Sequence, residues 1–275
     1  MDLSKDIIAA ESIFREKLEV YFIDLFKDIK IDSHGLEHHR RVWKYARELM
    51  QYPEISAGIA DNSFPVKLFI GSYLHDSGMA VDPGPEHGIN SRRFCEIFLD
   101  DNGLKIDDFG DLLDAVENHD NKDYPTSLSK SLLFNILTVA DDLDALGYIG
   151  IYRYTEIYLM RGEPLNELGN LIIKNVSGRF ANLKRTFGHA RSLISRFCPR
   201  LEIITGFYEK YNIRARGYNF GSGNPEGYCG IAEIIQSMII NAENMEDVIS
   251  SSIESSDRVI SWYFGELNRE LSILS

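Results

Sequence analysis

Phe69-Ile-Gly-Ser-Tyr-Leu-His75-Asp76 is an uncharged run that ends in a histidine and an aspartate side by side. A helix that buries such a run carries the pair inward with it, and an imidazole beside a carboxylate is costly to bury without a partner. A divalent metal is the usual partner, because imidazole nitrogen and carboxylate oxygen both suit it. Working outward, three more histidines share apolar helix faces. At about 100° per residue, His38 groups with Val42, Tyr45 and Leu49, while His39 and Arg40 point elsewhere. His87 groups with Ser91, Phe94 and Phe98, and His119 with Leu112, Ala115 and Val116. One such histidine is ordinarily a hydrogen-bonded core residue, but buried histidines have no reason to accumulate. Asp141 follows Leu132-Leu-Phe-Asn-Ile-Leu-Thr-Val-Ala140, a helix apolar nearly all round, so it needs an ion pair, hydrogen bonds or a metal. Asp142 and Asp144 compete for that role, and Asp142 also suits a place behind a ligand histidine. His34 either caps the helix that carries His38 or lies at the rim of the site.

The chain has 275 residues, 44% of them hydrophobic, enough for one large domain or one domain with an appendage. A net charge of −13 argues against a nucleic-acid polymer as partner, because no basic surface displaces its counterions. A small phosphorylated ligand remains compatible, since a metal and a few local cations can hold it. Cys95, Cys198 and Cys229 are far apart, which fits a reducing cytoplasm and offers neither a disulfide frame nor a thiolate metal site. The charged opening carries no secretory signal, and no apolar stretch approaches the ~20 residues that span a bilayer. A soluble, cytoplasmic protein without membrane contact is expected. G-x-S-x-G, G-x-x-x-x-G-K-[ST] and G-x-G-x-x-G are all missing, which removes serine-nucleophile, P-loop and dinucleotide readings.

The period is helical almost everywhere. Helices are expected over 3–29, 37–50, 64–76, 87–101, 108–120, 129–145, 149–161, 166–197, 199–211, 230–242 and 245–271, with Asp82-Pro-Gly-Pro85 and Tyr124-Pro125 in loops. The one compositional shift is the glycine-rich stretch Arg216–Gly227, read as a linker or as a lid over the site. It divides the expected chain into residues 1–215 and a helical extension over 216–275. In the helix 166–197, Lys184 and Arg191 flank the stripe Phe180, Leu183, Phe187, Ala190, Ile194 and Phe197, whereas Arg185, His189, Ser192 and Arg196 face away. Lys184, Arg191 and Arg153 are therefore the cations suited to a substrate phosphate, against the alternative of surface salt bridges in an acidic protein.

The ordered set His38, His75-Asp76 and Asp141 resembles the HD superfamily of metal-dependent phosphohydrolases. Asp32-Ser-His-Gly-Leu-Glu-His38 with Arg41, Val42 and Ala46 is similar to that family's opening helix. Ala140-Asp-Asp-Leu-Asp-Ala-Leu-Gly-Tyr-Ile-Gly-Ile-Tyr-Arg153 is similar to the closing motif of its bacterial uncharacterised branch. His87 with Ser91, and Glu117-Asn-His119, match positions where that branch carries extra histidines. The resemblance covers about residues 30–200 and implies an all-α helical bundle. It makes His38, His75, Asp76 and Asp141 the metal ligands, with His87 and His119 completing a second metal position or holding substrate phosphate. Asp76, His87 and His119 then form the catalytic group. The implied cofactor is a divalent metal, Mn²⁺, Fe²⁺, Ni²⁺, Mg²⁺ or Zn²⁺, as one ion or two. The implied activity is hydrolysis of a small phosphorylated substrate, a nucleotide first, by activated water. The alternatives are a di-iron oxygenase on the same scaffold and a signalling module with a structural metal. A homodimer is left open.

Overall fold

The computed structural model describes residues 2–84, 86–120 and 131–274. The Tyr124-Pro125 loop, Pro85 and the expected start of a helix at 129 lie outside the described residues. Among the described residues the structure has thirteen α-helices and no strand. They are α1 (Leu3–Phe26), α2 (Leu36–Leu49), α3 (Pro53–Ser56), α4 (Phe64–Leu74), α5 (His87–Asp101), α6 (Gly110–Asn118) and α7 (Leu132–Asp144). After them come α8 (Gly147–Met160), α9 (Leu168–Phe187), α10 (Arg191–Ala215), α11 (Gly227–Asn241), α12 (Met245–Ile253) and α13 (Arg258–Leu274). Among the described residues no helix is long and apolar enough to cross a membrane.

The chain packs as two compact units, and they do not part at residue 215. Unit 1 holds the residues up to Lys30, those from His34 to Leu143, and Thr186–Ala190. Unit 2 holds Ile31–Ser33, Asp144–Arg185 and the residues from Arg191 onward. The expected boundary falls inside unit 2 because α8 packs on α10, α11 and α13 together.

The apolar helix α4 is the axis of unit 1. It is buried at Phe64, Pro65 and every residue from Leu68 to Leu74, and it packs against α1, α2, α5 and α6. Gly71 has no side chain to hold off Leu112 and Leu137, whose methyls would lie 2.8 and 3.4 Å from a Cβ there. The helix α1 lays Ile7, Ala10, Phe14, Leu18 and Phe22 on this core. Two carboxylates fix its register: Glu11 accepts from Trp43 Nε1 at 2.6 Å, and Glu19 from Arg40 Nη2 at 2.6 Å and Tyr73 OH at 3.1 Å.

Unit 2 is built around α8, which is buried from Ile149 to Ile157. Gly147 opens this helix at φ 76°, and a Cβ there would run into Glu270 Oε1. That room lets Glu270, on α13, accept from Ile149 N at 2.8 Å and cap the helix. The expected helix 166–197 is broken at Gly188–Ala190 instead of continuing, and α10 runs through the exposed Pro199, where the sequence suggests a stop. The expected helix 245–271 is divided as well. Asp257 caps a new start, accepting from Val259 N at 2.8 Å and Ile260 N at 3.0 Å.

Residues 31–33 are held in unit 2 by buried polar groups. Ser33 N donates to Glu156 Oε2 at 2.7 Å, Tyr152 OH donates to Glu156 Oε1 at 2.8 Å, and Arg153 Nε donates to Ser33 O at 3.1 Å. Burial raises the Glu156 carboxyl above its ordinary 4.5, more than the hydrogen bonds from Ser33 and Tyr152 lower it. The folded chain therefore holds this proton more tightly than the unfolded chain does. The cost of ionising Glu156 is absent at acid pH and grows as pH rises through its folded pKa. Glu156→Gln removes that cost, so its melting temperature relative to the parent should rise between pH ~4 and pH ~8. Calorimetry at a series of pH values checks this; a gap that shrinks toward alkaline pH contradicts it.

Candidate metal centre

The ends of four helices and the body of a fifth bring the site together within unit 1. His38 lies in the first turn of α2, and His75 closes α4. Asp76 occupies the break before the 3-10 turn Ser77–Ala80, at φ −103° and ψ 8°. His87 is the first residue of α5, His119 closes α6, and Asp141 lies in α7. All six side chains are buried.

Two glycines make this convergence possible. A Cβ on Gly78 would run into His87 O and lie 2.6 Å from Ser91 N, so backbone meets backbone just after the His75-Asp76 pair. Ser91 Oγ accepts from Gly78 N at 2.8 Å. A Cβ on Gly88 would run into Glu117 O, and its absence brings the start of α5 onto the end of α6 and sets His87 beside His119.

The ring tautomers follow from the backbone. His75 Nδ1 donates to Ser72 O at 3.2 Å, His87 Nδ1 to Gly84 O at 2.7 Å, and His119 Nδ1 to Val116 O at 2.8 Å. A carbonyl only accepts, so each neutral ring carries its hydrogen on Nδ1 and presents a bare lone pair at Nε2. Those lone pairs face other acceptors. His38 Nε2 and His75 Nε2 are 3.3 Å apart, and they lie 3.4 and 3.2 Å from Asp76 Oδ2. Asp141 Oδ1 joins them at 3.7 and 3.9 Å. On the other carboxylate oxygen, His119 Nε2 is 2.8 Å and His87 Nε2 3.3 Å from Asp76 Oδ1, and these two nitrogens are 3.3 Å apart. Lone pairs and carboxylate oxygens gathered this closely repel unless a cation joins them.

The electrostatics agree. Burial on its own raises the Asp76 carboxyl, but His75 and His119 outweigh it and hold the group well below the carboxylate range. Burial opposes charge on His119 too, and Asp76 overcomes it, pushing this imidazole up to about 9. With protein groups alone, a proton is the cation held between His119 and Asp76. The donor set, all nitrogen and oxygen, also fits a divalent metal: His38, His75, Asp76 and Asp141 form one group, Asp76, His87 and His119 a second, and His38, His39 and His75 a third.

Residues 35–146 match the family model of the HD domain. Over that stretch the chain is similar to the HD domain. No curated protein and no solved structure matches it. All six clustered residues fall inside the HD match, and His34 lies one residue outside it. HD domains bind divalent metals and are generally hydrolases, and the His/Asp clusters of this chain could hold such a metal.

Several expectations about single residues change. His39 is not on an outward face; it is fully buried. Its face of α2 is covered by α1, where the Phe22 ring lies 4.4 Å from the His39 ring, and its Nδ1 reaches Ser72 O at 3.3 Å. Ser72 O thus accepts from both His39 and His75, so His39 fixes the carbonyl that orients a clustered ring. Burial pushes its pKa well down. His189 is exposed, as its helix face suggests. His34 is buried with Nε2 3.9 Å from Asp76 Oδ2, which favours the rim over the cap. Asp144 belongs elsewhere: its Oδ2 pairs with Arg153 Nη1 at 3.2 Å within unit 2. Arg153 is buried there and committed to Asp144 and Ser33, so its guanidinium serves the interior of unit 2 instead of meeting a phosphate. Lys184 and Arg191 are exposed on unit 2, Lys184 with Nζ 4.9 Å over the Phe180 ring.

Gly88→Val should push α5 off α6, lower metal content by elemental analysis, and destabilise the protein by the roughly 1–3 kcal/mol of an overpacked contact. His39→Ala should lower stability, whereas His189→Ala leaves stability and metal content unchanged. Parent-like metal content in Gly88→Val would show that the contact does not set the site.

Proposed function

We propose that this protein is a metal-dependent phosphohydrolase acting on a small phosphorylated substrate, a nucleotide first. The observation that carries this reading is the division of labour on Asp76, whose Oδ2 serves His38 and His75 while Oδ1 serves His87 and His119. A carboxylate used on both sides suits two divalent cations, with His38, His75 and Asp141 completing one position and His87 and His119 the other. Bound there, such ions supply Lewis acidity to phosphoryl oxygens and lower the pKa of water.

The chain's own groups supply the rest. The Nδ1–H donations to Ser72, Gly84 and Val116 hold three imidazoles aimed with Nε2 toward Asp76, so little reorganisation is needed when substrate arrives. Burial of the cluster excludes bulk water and strengthens each electrostatic contact. His34 is the ring we assign to carry a proton to the leaving oxygen, because its Nε2 reaches the same edge of Asp76 as His38 does.

The same two clusters suit a pair of irons in an oxygenase, and oxygen dependence separates the two activities. Under anaerobic conditions with Mn²⁺ and mixed nucleoside phosphates, the protein should release phosphate, pyrophosphate or a nucleoside monophosphate. Asp76→Ala should strip metal and activity together. His34→Asn should keep the metal but lower kcat by roughly 100-fold, as the loss of a general acid does. No product under those conditions, with oxygen consumed by the iron-loaded protein on a polyol or phosphonate, would make the protein an oxygenase instead.

A further inference from the structure

Unit 2 contains a cleft of about 470 Å³ between the glycine-rich loop, α11 and α12. That volume lies within the roughly 300–1,000 Å³ of small-molecule sites. Gly221, Gly223 and Pro225 line it from the loop, Glu233, Ile234 and Ile240 from α11, and Val248, Ser251 and Ser252 from α12. The loop is fastened in place, because Tyr218 OH donates to Glu233 Oε2 at 2.5 Å and Gly221 N to Glu233 Oε1 at 2.6 Å.

Two observations specify what fits. The first is an unanswered hydroxyl: Ser252 is only 7% exposed and lines the cleft, and its Oγ has no hydrogen-bond partner among the described residues. The second is uncompensated charge. Among the described residues the Glu233 carboxylate is met only by the neutral Tyr218 OH and Gly221 N, and that of Glu243, also lining the cleft, only by Asn241 Nδ2 at 3.0 Å. Among those residues no lysine, arginine or histidine lines the cleft. The lining accepts hydrogen bonds, carries negative charge and offers the alkyl surface of Ile234, Ile240 and Val248. It repels the phosphorylated compounds proposed for the metal centre and suits an organic cation with several N–H donors.

We infer that this cleft binds a small aliphatic amine, its ammonium against Glu243, Glu233 and Ser252 and its methylenes on the isoleucine and valine side chains. An ammonium supplies three donors to a lining of acceptors.

Titration calorimetry on the full chain tests this with 1,4-diaminobutane and spermidine as ligands and 1,4-butanediol as the uncharged control. Saturable binding of the amines and none of the diol is expected. Glu243→Gln, which leaves the loop fastening intact, should weaken it by roughly tenfold or more, the loss of one charge-assisted hydrogen bond. Ser252→Phe should abolish it by filling the cleft, while Asp76→Ala should leave it unchanged and so keep this inference separate from the metal-centre reading. Absence of saturable binding, equal binding of the diol, survival of binding in both cleft variants, or its loss in Asp76→Ala would each overturn the proposal.

Discussion

Asp76 is a buried carboxylate with imidazole nitrogens on both of its oxygens, and the architecture of unit 1 answers to that one constraint. A negative charge in the interior needs positive or polarised neighbours on every side. Four helix ends provide them, because a helix terminus is where a side chain can leave the apolar face of its own helix and turn inward. The backbone carbonyls of Ser72, Gly84 and Val116 contribute a second layer by settling which nitrogen of each ring bears hydrogen. The core of unit 1 is thus organised from its polar centre outward, with the leucines and phenylalanines of α4, α6 and α7 enclosing it.

The two close backbone approaches at Gly78 and Gly88 are the mechanical counterpart of this electrostatics. The His87 and His119 ring nitrogens, 3.3 Å apart, require α5 and α6 to come nearer than a side chain at Gly88 would allow. Removing Cβ at two positions provides that distance without a cavity. The remaining tension, lone pair against lone pair, is what turns a packed core into a site with an appetite for cations.

Much of this is legible in the chain itself, and the reasons are physical. His38, His75, Asp76, His87, His119 and Asp141 are visible because polar residues on apolar helix faces contradict burial, and six contradictions in one chain require a common cause. His39 is hidden because its environment comes from another helix: the wheel of α2 shows one apolar face, and only the docking of α1 covers the second. Gly78 and Gly88 leave no periodic signal, since their role is a distance between backbones remote in sequence. The break at Gly188–Ala190 is masked by an apolar stripe that continues across it, and Pro199 marks a stop that the chain does not make. Arg153 has the look of a phosphate ligand because its partners, Asp144 and Ser33, become neighbours only after folding.

The capping of α8 sets the order in which unit 2 can form. Its first turn is satisfied by Glu270, 121 residues after the capped amide of Ile149, and its flank holds Ser33, which lies 123 residues before Glu156. Contacts this remote close large loops before any reward arrives, the condition that slows folding. As the chain leaves the ribosome, α8 appears midway with its upstream partner already made and its cap still unsynthesised. Its apolar surface must wait through the translation of five further helices. Unit 1, whose cluster is complete by Asp141, faces no such delay. The clustered side chains can therefore come together while the partners of α8 are still to be made, and the apolar face of α8 is the last to be covered.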